Sequence, residues 1–191
     1  MKVALDVQHM YKNSHPNDRG ERLYGLYETE IVKNYMSKAK ILLEAKGIEV
    51  CMSDPGKKIL VGDYWERHAF ANDNHVHLYL AGHMNTDITQ KDCGIVEHTV
   101  HAGRETVIFA HILKNRIKEN LNIGEVVLKT LAEKEIGYAC IAGLRMPAVL
   151  IKPLSLHNHN HIELLKKEGV YLIAETIADA IEEYMAVEIG E

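Results

Sequence analysis

Apolar and polar positions alternate along this chain in two rhythms, and the switch between them sets out the elements. Short apolar runs at 2–7 (KVALDV), 48–52 (IEVCM), 76–81 (VHLYLA), 94–100 (GIVEHTV), 138–142 (YACIA) and 148–151 (AVLI) have strand length. Between them lie segments of helical period. From Glu28, the residues Ile31, Tyr35, Ala39 and Leu42 recur every three or four positions, with Lys33, Lys38, Lys40 and Glu44 on other faces and Gly47 as the stop. Further helices are predicted over 62–73, 104–120 (Val107, Ala110, His111, Leu113 and Ile117 inward), 125–135 and 171–184. Residues 11–26 and 86–94 are polar and loop-like, and Asp54-Pro55-Gly56 is a turn. Alternation of this kind predicts an α/β fold: a single central sheet, mostly parallel or mixed, covered by helices on both faces. No repeat or linker interrupts it, so one domain is expected over residues 1–191.

Composition narrows the function classes. A net charge of −5 argues against a general nucleic-acid footprint. No apolar stretch approaches the length of a transmembrane helix, and MKVALDVQHM lacks the apolar core of a signal peptide. Synthesis in the cytoplasm is expected, with release by some other agent if the protein acts outside. The three cysteines, Cys51, Cys93 and Cys140, form no CxxC and no even disulfide framework. Twelve histidines bring metal ligation into question.

Two of those histidines follow apolar runs directly. His9 comes just past the first strand, and His83 follows Gly82 at the end of the central one. Open α/β sheets keep their sites at such edges. Hydrolytic zinc sites use three protein ligands, often two histidines and a carboxylate, and leave a position for water. Glu28 and Glu30, on the first turn of the helix after the first loop, both qualify as the carboxylate, and their spacing puts them on different helix faces. The set lacks a compact HExxH motif. His157, His159 and His161 alternate with asparagines and read as a solvated loop, since no acidic or cysteine partner is near in sequence. His75 and His77 read as structural, Arg67 and Asn72 as ties between their helix and the central strand, and Asn85 as a residue that orients His83 or touches a substrate.

Five pieces, in order, resemble one family. ALDVQHM (4–10) resembles an opening strand plus Gly-His-Gly. GLYETEIVKNYMSKAKILLEAKGIEV (25–50) resembles a ligand Glu, a long helix and a second strand. WERHAFAN (65–72) resembles an Arg-x-x-x-Ala-Asn segment, VHLYLAGHMN (76–85) a Ser-Ile-His-Ala-Asn strand, and MPAVLIKP (146–153) a Met-Pro-Ala-Val-Leu-Val-Glu segment. The chain thus resembles the zinc-dependent N-acetylmuramoyl-L-alanine amidases of the amidase_3 type, which cut peptidoglycan. The resemblance implies Zn²⁺ ligated by His9, Glu28 and His83, and peptidoglycan as partner. It also implies a phage- or prophage-lysin-like catalytic domain that meets the wall after release.

The departures are specific. Gln8 and Met10 stand where the family has glycines around the first ligand, and Gly82 where it has a bulkier residue. Lys152 stands at the family's catalytic glutamate, the base that handles the proton of the attacking water. A protonated lysine accepts no proton. Lys152 is therefore expected to act either as a neutral base or as a charged stabiliser of the oxyanion. The alternative is a catalytically impaired domain that binds wall fragments or a protein partner.

Overall fold

The computed structural model describes residues 1–189, and the side chains of residues 1–187. Its centre is a six-stranded sheet in the order β4-β1-β5-β8-β6-β7, built from β1 (Lys2–Val7), β4 (Glu49–Met52), β5 (Leu78–Gly82), β6 (Cys93–Thr99), β7 (Glu125–Leu131) and β8 (Ala148–Lys152). A two-stranded hairpin, β2 (Arg22–Leu23) and β3 (Leu26–Tyr27), lies in the loop after β1. Neighbours in the large sheet are parallel except β8 and β6, which are antiparallel. The sheet is therefore mixed but mostly parallel, with helices on both faces.

Period-two alternation sorts the strand residues between two cores. Val3, Leu5, Leu78, Leu80, Val149 and Ile151 point to one face, under α1 (Glu28–Ala45), α3 (Arg104–Asn120) and α6 (Val170–Ile189). Ala4, Tyr79, Ala81, Ala148 and Leu150 point to the other, under α2 (Tyr64–Asp73) and α4 (Tyr138–Ile141). The inward stripe of α3 is rotated from the expected one. Thr106, Phe109, Ala110, Ile112, Leu113 and Ile117 are buried, while Val107 is only partly so and His111 faces out.

Two elements differ in kind from the sequence reading. Residues 125–131 form an edge strand rather than a helix. An edge strand is half exposed, so its apolar pattern (Val126, Val127, Leu128, Leu131) loses the clean period of two, and interspersed Lys and Glu imitate a helix. Residues 138–141 form one helical turn rather than a strand, closed off by Gly137 and Gly143 in left-handed conformation. A four-residue apolar run has no period to read. The 157–161 stretch is not an open loop either. Asn158 caps α5 (His159–Leu164), accepting from the amides of Asn160 and His161, and a π-helical turn joins α5 to α6.

The glycine before His83 governs how α1 meets the sheet. A Cβ on Gly82 would lie 2.5 Å from both Met36 Cε and Tyr35 Oη. Its absence lets α1 press against the end of β5, where Tyr35 donates to the His83 carbonyl at 3.1 Å. Thr29 donates to the Gln8 carbonyl at 3.0 Å and pins the first turn of α1 beside the end of β1.

Candidate metal centre

That packing delivers three side chains to one point. His9 follows β1, His83 follows β5, and Glu28 opens α1. His83 Nδ1 lies 2.9 Å from Glu28 Oε1, His9 Nε2 3.2 Å from His83 Nδ1, and His9 Nε2 3.4 Å from Glu28 Oε2. Among the described residues no other trio of His, Cys, Asp or Glu side chains gathers in this way. The helix turn separates the two acidic candidates. Glu28 is buried, whereas Glu30 points outward to an ion pair with Arg19.

The donor spacing fits a metal ion. Ligands about 2.0–2.1 Å from a tetrahedral zinc stand roughly 3.3 Å from one another; the His9–His83 separation and the distance from each ring to a Glu28 oxygen, Oε1 for His83 and Oε2 for His9, lie around that value. Two nitrogens and one carboxylate oxygen are also the donor types zinc takes at open, hydrolytic sites.

A surrounding layer orients the three. His9 Nδ1 lies 3.0 Å from both oxygens of Asp18, leaving Nε2 for the centre. Asp18 also accepts from Lys12 at 2.9 Å and from the Gly20 amide at 2.9 Å. Burial works against its charge, but Lys12, the Gly20 amide and His9 together lower its pKa to about 2. On the other side His83 Nε2 lies 3.7 Å from Cys140 Sγ, so the ring turns Nδ1 toward the centre. Glu28 accepts from the backbone amides of Met84 at 2.9 Å and Glu21 at 3.2 Å. Burial opposes its charge as well, yet His83 and His9 hold its carboxyl far below the usual range. His83 shows the reciprocal effect. Burial disfavours its charged ring, but the Cys140 sulfur and Glu28 raise its pKa to about 9.

The backbone is shaped for this cluster. His9 sits at φ +64°, a left-handed conformation that non-glycine residues adopt at some cost and that collects at functional sites. Gly20, at φ +66°, comes so near that a Cβ there would lie 2.6 Å from Glu28 Oε2.

Lys152 ends β8, next to β5. Ile151 is in register with Gly82 and accepts the His83 N–H at 2.9 Å, so Lys152 stands one strand over from His83. Its Nζ lies 2.8 Å from Glu97 Oε2 on β6. Asn85 is fully buried. Its amide hydrogens go to the carbonyls of Gln90 (2.7 Å) and Cys93 (3.0 Å), and its oxygen accepts the Asp87 N–H at 3.0 Å. It shapes the 85–93 loop and has no free amide hydrogen for a substrate. Arg67 is buried and holds Asp6, Val7 and Met10 around the first strand, rather than the central strand as expected. Asn72 ties α2 to the 143–145 loop. His161 is buried and accepts the Ser155 N–H at 3.0 Å, far in role from a metal tract.

Sequence reasoning passed over Asp18, Cys140 and Glu97. Asp18 lies in a polar loop whose path no pattern gives. Glu97 did carry a signal, being an acidic residue at an inward position of an apolar strand, which calls for a buried partner.

A family model described as N-acetylmuramoyl-L-alanine amidase matches residues 3–183. No curated protein matches the chain. Solved structures do. The N-acetylmuramoyl-L-alanine amidase AmiC2 of Nostoc punctiforme superposes with a TM-score of 0.76 at 19% identity, over 97% of each chain. The catalytic domain of CwlV, an N-acetylmuramoyl-L-alanine amidase from Bacillus (Paenibacillus) polymyxa var. colistinus, gives 0.78 at 18% identity, over 97% of this chain and 98% of that one. The catalytic domain of the CD27L endolysin targeting Clostridia difficile gives 0.73 at 15% identity, over 96% and 97%. At these identities the likeness is one of fold.

Proposed function

Since this chain belongs to the N-acetylmuramoyl-L-alanine amidase family, we propose that it is a zinc-dependent hydrolase of the amide between N-acetylmuramic acid and L-alanine in peptidoglycan. His9 through Nε2, Glu28, and His83 through Nδ1 would hold the zinc. The observation that carries this reading is the convergence of two imidazoles and a buried carboxylate at tetrahedral-edge spacing on the sheet edge. When bound, the ion supplies Lewis acidity to the amide carbonyl and to water.

The protein's own groups do the rest. Asp18 and Cys140 fix the ring faces of His9 and His83, which avoids reorganisation during the reaction. Lys152, in ion-pair contact with Glu97, acts as a cation rather than a base. From its place beside His83 it stabilises the negative charge that grows on the carbonyl oxygen. The whole chain serves as one catalytic domain, acting on the wall after release in the manner of a lysin. Among the described residues no helix is long and apolar enough to cross a membrane.

The same ion pair favours a second reading. A paired ammonium takes no proton from water, and loss of a general base costs about 10²–10⁴-fold. In that reading the domain binds wall fragments with little turnover. Incubation with purified peptidoglycan, with and without chelator, separates the two. Chelator-sensitive release of stem peptides with new N-terminal alanine is the expected result. Binding without release would establish the second reading instead.

A further inference from the structure

Lys152 and Glu97 meet through strand register. In the antiparallel ladder of β6 and β8, Ile95 faces Lys152 and Glu97 faces Leu150. Paired residues share a sheet face, so Lys152 and Glu97 are diagonal neighbours on the α4 side. Their side chains are 19% and 3% exposed. The 2.8 Å contact lies off the direction of a hydrogen bond, and Glu97 Oε2 has no other donor. The carboxylate is therefore buried for its charge, with Lys152 as its sole ion-pair partner among the described residues.

The pair sits where its charge matters. Lys152 lines a groove of about 570 Å³ together with Asn85 and Thr86, which follow His83, and with residues of β6 and β7. Glu97, Lys129 and Ile136 line it as well. The two other carboxylates along this groove are engaged with backbone amides, Asp87 with Thr89 and Glu135 with Ala132. An ammonium one strand from a divalent cation repels it unless a carboxylate cancels the charge. At an effective dielectric of about 20, Coulomb's law makes such a repulsion worth tenfold or more in affinity out to a separation of about 20 Å.

We propose that Glu97 is the positioning residue for Lys152. It fixes the ammonium at the end of β8, one strand over from His83, and neutralises it, so that Lys152 can meet the substrate carbonyl without weakening the cation site. This rests on the zinc amidase reading above.

Three variants of the full chain test it: Glu97→Gln, Glu97→Asp, and Glu97→Gln with Lys152→Met. Zinc affinity is read by competition with a chromophoric chelator. Values of kcat and KM are read on a soluble N-acetylmuramoyl-L-alanyl peptide. Glu97→Gln should weaken zinc binding about tenfold or more and lower kcat with KM little changed. Glu97→Asp keeps the charge and should recover most of the affinity. The double variant has no ammonium to neutralise, so it should bind zinc like the wild type while kcat falls about 10²-fold. Wild-type affinity and kcat in Glu97→Gln would overturn the inference, as would a double variant that binds zinc no better than the single. If Glu97→Gln fails to fold, the double variant, which buries no lone charge, decides through kcat, and a wild-type value overturns the inference. A wild type that binds no zinc would instead overturn the proposed function.

Discussion

His83 carries two partners on opposite ring nitrogens, Glu28 on Nδ1 and Cys140 on Nε2, and this double hold has a measurable consequence. Its pKa stands at about 9 against an unperturbed 6.5. In metal-free protein the raised value means stability that is fully present below pH 6.5 and lost as pH rises toward 9. The midpoint of thermal unfolding of chelator-treated protein should accordingly fall across that window. Zinc binding should run the other way. The metal needs the neutral ring, so affinity should climb by up to about tenfold per pH unit until pH 9 and then level, as read by zinc competition at several pH values. A flat profile from pH 6.5 to 9 would count against the His83–Glu28 pairing. At this scale the sequence was informative where chemistry follows from position: two histidines past strand ends and an acidic residue opening a helix. The pattern alone left Glu28 and Glu30 as equals, with only the family resemblance pointing to Glu28, because the seating of α1 on the sheet decides which one faces inward. Asp18 and Cys140 were hidden for the same reason, since loop path and ring orientation have no periodic signature.

Among the elements, α1 and β5 set the site, and Gly82 is the point where they touch. Gly82→Ala would drive a methyl into Met36, Tyr35 and Val32. It should destabilise the fold by about 1–3 kcal/mol, measured by denaturant unfolding. It should also displace Glu28 and weaken zinc binding, since α1 carries that residue. Unchanged stability would mean that α1 does not bear on β5 as described. The elements that were legible, β1, α1, β4, α2, β5, β6, α3, β8 and α6, are long enough or buried enough to show a period. β7 and α4 were not. One lies at a half-solvated sheet edge, where Val126, Val127 and Thr130 gave a β-branched hint that Lys129 and the flanking glutamates obscured. The other is a single turn held between left-handed glycines.

Across the whole molecule, alternation of short apolar runs with amphipathic segments was enough to give a helix-covered sheet. It gave no strand order. The reversal that makes β6 antiparallel to β8 arises from long-range pairing, and it is this reversal that brings Glu97 to Lys152. The arrangement places the ends of β1, β5 and β8 along one edge, with α1 directing Glu28 into the gap. Everything proposed about catalysis depends on a cation bound there. The direct measurement is zinc content after equilibrium dialysis, for the wild type and for His9→Ala, Glu28→Gln and His83→Ala, each checked for folding by circular dichroism. One zinc per wild-type chain, falling well below one in each folded variant, is the predicted result. A wild type that retains no zinc, or folded variants that retain it in full, would contradict the account.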